Sequence, residues 1–211
     1  MTATLAAPSS TRTAVPILTA VPVDHPGLVR RIRDWNDAEQ VHHAVMSLFR
    51  ENLPGPQQQR RATAGILYRI DQNTGRILLQ ATVAPIRTDH GIRTTDLSGL
   101  LTRLTAGTAV RFRLDINAVR CQARTHHRSP VPESEFPDWL ARRLHPALTA
   151  ITILDAPITV RRAGQTPLRI AHVTATARIG DRDALLQLIH AGVGRARAYG
   201  CGLLSVLPSI E

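Results

Sequence analysis

Apolar residues recur along the chain with two periods, and their succession predicts an α+β protein. Residues 15–23 (VPILTAVPV) are apolar and β-branched, which predicts a first strand, with Pro16 and Pro22 favouring a sheet edge. A helix is expected from Asp37 to Arg50, where Val41, Ala44, Val45, Leu48 and Phe49 share one face. Asn36 stands at its N-cap position, and Glu39 follows three residues on, as in a capping box. Strands at 65–71 and 76–85 flank Gln72-Asn73-Thr74-Gly75, a hairpin signal. Leu97, Leu100, Leu101 and Leu104 have helical spacing, Gly107 ends that helix, and residues 109–120 alternate as a strand. The stretch 15–120 therefore reads β-α-β-β-α-β, the ferredoxin-like order.

Residues 121–135 are polar and broken by proline, which predicts a linker. Beyond it, Phe136 to Leu144 forms an amphipathic helix with Pro137 at its start. Strands follow around 150–162 and 168–180, across a turn at Gly164-Gln165-Thr166-Pro167, then a helix from Asp181 to Ala191. A glycine-rich loop leads to a last strand, Leu203 to Leu207. Residues 136–211 thus read α-β-β-α-β, a second ferredoxin-like unit whose first strand is unrecognised. The expected organisation is a disordered lead-in at 1–14, a domain at 15–120, a linker at 121–135 and a second domain at 136–211.

Composition turns this scaffold toward a partner. The 211 residues carry 26 basic against 16 acidic side chains, a net charge of +10, and every basic residue is Arg. Codon bias in a GC-rich genome accounts for Arg in place of Lys, but not for the excess over Asp and Glu. A fork-shaped, permanently charged guanidinium suits phosphate, so the excess points to a nucleic acid. Lacking Lys, the chain has no P-loop lysine and no Schiff-base lysine. Only 7 residues are aromatic, which disfavours a base-stacking platform and favours folded RNA read through phosphates and shape. Cys121 and Cys201 form no CxxC pair, and no stretch approaches the length of a membrane span, so a soluble, cytoplasmic protein is expected.

Four features carry candidate chemistry. Gly192, Gly194, Gly200 and Gly202 form two GxG pairs around Arg195 and Arg197, in a loop able to turn backbone N–H groups toward an anion. His42 falls at the edge of the apolar face of the first long helix and His43 nearly opposite, toward water. Glu39, one turn earlier, either orients the His42 imidazole and raises its pKa or merely caps the helix beside two surface histidines. Arg161, Arg162 and Arg169 make the 164 turn basic, either as RNA contacts or as a solvated strand pair. His126, His127 and Arg128 add a basic loop. No HExxH or metal-spaced carboxylate cluster is present, and Asp37 with Glu39 alone makes no magnesium site, so metal-free chemistry is expected.

The stretch Asp37-Ala-Glu39-Gln-Val-His42 resembles the D-x-Y-x-L-H helix of the CasE family, the CRISPR repeat-processing endoribonucleases of type I-E systems. The ending Gly192-Val-Gly194…Gly200-Cys-Gly202-Leu-Leu-Ser-Val-Leu-Pro is similar to that family's GIG…GCGLLSLAP. Val110-Arg-Phe112-Arg-Leu looks like its FRLRANP strand, and Arg128-Ser-Pro-Val-Pro132 with Trp139-Leu-Ala-Arg-Arg-Leu144 looks like its R-V-P-L and W-L-x-R-K-L segments. The resemblance implies two tandem ferredoxin-like domains and binding of a CRISPR repeat RNA hairpin. It further implies cleavage at the base of the stem by the RNA's own 2′-OH, without metal or other cofactor, leaving a 2′,3′-cyclic phosphate and a 5′-OH. His42 takes the place of the family's acid/base histidine, and Glu39 that of its assisting Tyr. Mature crRNA is expected to stay bound, with the other type I-E Cascade subunits as partners. The alternative is a hairpin-binding subunit that no longer cuts.

Overall fold

A computed structural model describes residues 15–86, 91–121 and 128–209. The predicted lead-in at 1–14, and His126 with His127, lie outside the described residues. The first unit contains β1 (Ile17–Pro22), α1 (Pro26–Val29), α2 (Ala38–Met46), α3 (Arg60–Thr63), β2 (Leu67–Asp71), β3 (Arg76–Ala81) and β4 (Arg93–Asp96). Its strands form an antiparallel sheet in the order β2-β3-β1-β4. The first strand is therefore central, against the expectation of an edge. Pro16 precedes it and Pro22 is its last residue, so neither removes a donor from inside the ladder. Val41, Ala44 and Val45 of α2 share a core with Ile77, Leu79 and Tyr68 of this sheet and Leu28 of α1.

The second unit contains α4 (Ser98–Arg103), β5 (Ala109–Asn117), β6 (Val119–Cys121), β7 (Arg128–Pro130), α5 (Phe136–Leu144), β8 (Leu148–Asp155), β9 (Ile158–Ala163), β10 (Thr166–Ile179), α6 (Arg182–Ala191) and β11 (Leu204–Pro208). Its sheet runs β11-β5-β10-β8, and β9 pairs β10 beyond β8. Each unit places its first and third strands at the centre and its second and fourth at the edges, the ferredoxin-like order. The protein is thus an α+β chain of two tandem ferredoxin-like domains, as the pattern implied.

The strand at 109–117 changes sides. Periodicity made it the end of the first unit, but it pairs with β10 and β11 and is the first strand missing from the second. The fourth strand of the first unit is β4, whose four residues are all exposed and carry no apolar alternation. The helix expected at 96–104 follows β4, and Leu101 and Leu104 pack into the core of the second unit. The stretch expected as a linker from 121 takes part in the β6–β7 ribbon, Cys121 opposite Arg128. The single strand expected at 150–162 is two, β8 and β9.

The units meet along β2, all five of whose residues are buried. Buried Gln80 on β3 donates from Nε2 to the carbonyl of Ile189 on α6 at 2.6 Å. Arg113 on β5 reaches Asp71 at 3.2 Å, while buried Arg69 donates to the Arg113 carbonyl. A third apolar cluster spans the junction: Ala38 from α2, Ala163, Leu168 and Ile170 from the β9–β10 hairpin, and Cys201.

Candidate functional site

The Asp37 side chain caps α2, accepting from the backbone N–H groups of Glu39 and Gln40 at 3.0 and 3.1 Å. These bonds and the Gln40 amide hold its carboxyl below the usual aspartate value. Asn36, the expected cap, lends its carbonyl instead to the Arg162 amide on β9. Asp37 itself bridges to Arg162, so β9 fixes the start of the helix.

From that start, the turn of the helix sets the two histidines. His42 is half-buried and His43 exposed, as the wheel requires. The His42 Nδ1 is shut off from solvent with no hydrogen-bond partner among the described residues. Tyr199 presents its ring edge-on to His42, centroids 6.1 Å apart and planes at 77°. Burial lowers the His42 pKa below 6.5, and the positive fields of His43 and Arg61 lower it further, while the Ala198 carbonyl opposes them. Glu39 is not among the groups acting on His42. Its exposed carboxylate lies instead beside the Gly164 turn. The expectation that Glu39 raises the His42 pKa is therefore corrected: the charges that reach the imidazole are positive.

The glycine-rich loop builds the wall opposite α2. All four glycines have positive φ, between 76° and 86°. A Cβ at Gly200 would stand 3.0 Å from the Tyr68 ring, and one at Gly202 2.7 Å from the Val193 carbonyl. The Gly192 N–H already donates to Leu188 and the Gly202 N–H to Asp115. These two amides are not open to an anion. The glycines instead let the loop close against β2 and turn the 3₁₀ segment Arg197–Tyr199 toward His42. The Tyr68 hydroxyl holds that turn, donating to the Ala198 carbonyl at 3.0 Å.

The arginines divide by position. Arg197 donates from Nη1 to the carbonyl of Ala191, the last residue of α6. Arg61, on α3, donates to the Ile66 carbonyl at 2.6 Å. Burial and the nearby positive charge of Arg197 lower the Arg61 pKa, and no carboxylate acts on it. Arg195 is exposed. Arg162 and Arg169 are exposed and share the outer face of the β9–β10 hairpin, with Arg162 also paired to Asp34 at 3.2 Å. Arg161 points the other way and is buried, close to Tyr68 and Cys201. Arg161, expected beside Arg162 and Arg169 among the RNA contacts, is thus set apart from them, because alternation along β9 puts it on the inner face. Burial pushes the Cys201 thiol up to about 12, so it is no nucleophile at neutral pH.

Sequence reasoning missed two residues of this site. Tyr199 lay in the glycine-rich stretch, but only the fold aims its ring at α2. Arg61 lay in a polar loop with no periodicity. Together His42, Arg61, Arg197 and Tyr199 form a cationic site at the junction of the two units. It suits a phosphate with a proton-transfer group beside it.

A family model described as CRISPR associated protein matches residues 18–208. No curated protein matches the chain. Among solved structures the chain is similar to Thermus thermophilus Cse3 bound to an RNA representing a pre-cleavage complex, at 22% identity and TM-score 0.72, covering 92% of this chain and 100% of that one. It is similar to CRISPR endoribonuclease Cse3 bound to a 19-nucleotide RNA, at 22% identity and TM-score 0.68, covering 93% and 100%. It is also similar to the CRISPR-associated protein Cas6e from Escherichia coli K-12, at 22% identity and TM-score 0.62, covering 92% and 100%.

Proposed function

Because the chain belongs to the CRISPR-associated protein family, we propose that it is a CRISPR endoribonuclease of the CasE type, cutting repeat RNA at the base of its stem-loop. The observation that carries this reading is the half-buried His42 in a site where Arg61 and Arg197 supply positive charge and no carboxylate acts on the imidazole. In the proposed reaction the 2′-OH of the nucleotide before the cut attacks the neighbouring phosphorus. The bond from phosphorus to the 5′-oxygen breaks. The products are a 2′,3′-cyclic phosphate and a 5′-OH, and no cofactor enters.

His42 moves the proton, from the attacking 2′-OH or onto the leaving 5′-oxygen. Its lowered pKa leaves it neutral at pH 7 in the free protein, ready to accept a proton. A bound phosphate adds negative charge and favours the imidazolium, which serves the donating half. Arg61 and Arg197 balance the extra charge that gathers on the phosphoryl oxygens in the transition state. Arg162, Arg169 and Arg195 lie on the second-unit side of His42 and hold the stem by its phosphates, read by shape. We place the division between the two units after β4, near residue 97.

After cleavage the stem stays on these arginines, which keeps mature crRNA bound and makes the protein a subunit of a Cascade complex. The test is incubation with a CRISPR repeat RNA from the same genome in EDTA. Cleavage to a cyclic-phosphate end supports the reading. Tight binding without cleavage replaces the enzyme with a crRNA-binding subunit, and neither binding nor cleavage ends both readings.

A further inference from the structure

Between α1 and the C-terminal end of α2 lies a pocket of about 430 Å³, lined by Pro26, Gly27, Arg30, Arg31, Ser47, Leu48 and Ile86. Its volume falls in the range of small-ligand sites, ~300–1,000 Å³. Arg30 and Arg31 are exposed, and no carboxylate lines the pocket. Half-exposed Ile86 is held in place by its amide, which donates to the Leu48 carbonyl at 2.8 Å. The pocket thus joins two guanidinium groups and a hydroxyl to a small apolar shelf. That pairing suits one nucleotide: an anionic phosphate and a flat base.

Its place on α2 relates it to His42. The His42 and His43 rings are 5.6 Å apart. Ser47 follows His43 by four residues, so it lies on the same face about 6 Å further along the axis. From His42 the pocket is thus reached by way of His43, over about one to two phosphate spacings of an RNA strand. Toward the opposite end of the helix, Glu39 abuts the Gly164 turn of the hairpin proposed to hold the stem.

We propose that this pocket holds the first unpaired nucleotide beyond the cut, on the side away from the stem, with Arg30 and Arg31 on its phosphate and its base against Pro26 and Ile86. The inference rests on the reading of the chain as a repeat-RNA protein and names the path of the departing strand. The strand runs from the stem on the second unit, past His42, and along the exposed face of α2 into the pocket. Arg30 and Arg31 touch no reacting atom and act by positioning.

The test uses the full chain and two repeat RNAs made uncleavable by 2′-deoxy substitution at the attacking nucleotide. One ends at the base of the stem and the other continues for three nucleotides beyond it. The wild-type chain binds the longer RNA about tenfold tighter, the size expected for hydrogen bonds to a charged group. The Arg30→Ala/Arg31→Ala variant loses that preference, binds the shorter RNA as the wild type does, and shows a smaller salt dependence on the longer one. Equal affinity of the wild type for both RNAs, a preference surviving in the variant, or an equal loss on both lengths would overturn the proposal. Cleavage of the unmodified RNA, followed in parallel, reports on the enzymatic reading separately. A chain that shows the length preference without cutting keeps the pocket and loses the enzyme.

Discussion

In the first unit the fourth strand is four residues long and fully exposed, whereas in the second β10 runs for 14 residues and pairs with β5, β8 and β9. The second unit also has both helices of its ferredoxin-like order, α5 and α6. Between β3 and β4 of the first, the described residues contain none. The first unit makes up the difference at the junction, where β2 is covered on both faces by its own core and by the glycine-rich loop of its neighbour. The better-built unit therefore supplies the support, and the weaker one carries His42. His42, proposed to transfer the proton, is shaped from both sides of such a seam: Arg61 comes from the first unit, Arg197 and Tyr199 from the second.

The largest effect is expected at His42. His42→Ala is expected to lower single-turnover cleavage by about 10²–10⁴-fold, the usual weight of a general acid/base, and to leave hairpin binding within a few-fold. Full cleavage by this variant would remove the chemistry from the first unit.

Next in size is the support. Gly202→Ala places a methyl 2.7 Å from the Val193 carbonyl at φ +86°. A loss of about 3 kcal/mol in denaturant unfolding is expected. Gly75 also has positive φ, but its Cβ would meet nothing closer than Val23 at 4.0 Å. Gly75→Ala is expected to cost only about 1 kcal/mol, from backbone conformation alone. Equal losses at the two sites would show that the seam is no more tightly built than an outer hairpin.

Smaller effects sharpen the electrostatics. The His42 imidazole titrates below 6.5 because it is partly buried and faces His43 and Arg61. Arg61→Ala removes one of these repulsions, so the His42 titration followed by NMR moves upward. The same shift has a stability consequence. An unfolded histidine takes up its proton as pH falls through 6.5, before His42 does so in the folded chain. The wild type therefore loses stability from that pH down to the folded pKa of His42, and no more from this group below it. His42→Ala lacks that part of the loss.

The smallest expected effect is none. Glu39→Gln leaves the pH dependence of cleavage unmoved, because the Glu39 carboxylate faces the Gly164 turn and does not act on His42. A displaced profile would return Glu39 to the site.

Helical periodicity was legible wherever one face is buried, so α2, α5 and α6 were read close to their true positions. The outward position of His43 and the edge position of His42 followed from the same 100° step. The wrong partner for β5 came from β4, whose Arg-Thr-Thr-Asp has no apolar alternation to mark it as a strand. Arg61 and Tyr199 escaped notice because neither lies in a periodic segment.

By itself, then, the sequence determined the two ferredoxin-like element orders in outline, the arginine excess and the face on which His42 stands, since these follow from local spacing and composition. Tertiary structure alone decided to which sheet β5 belongs, that Arg161 turns inward, that the Gly192 and Gly202 amides donate to the protein's own carbonyls, and that the charges acting on His42 are positive. Each of these depends on which distant strand or loop lies alongside, and contact between segments far apart in the chain leaves no period in it.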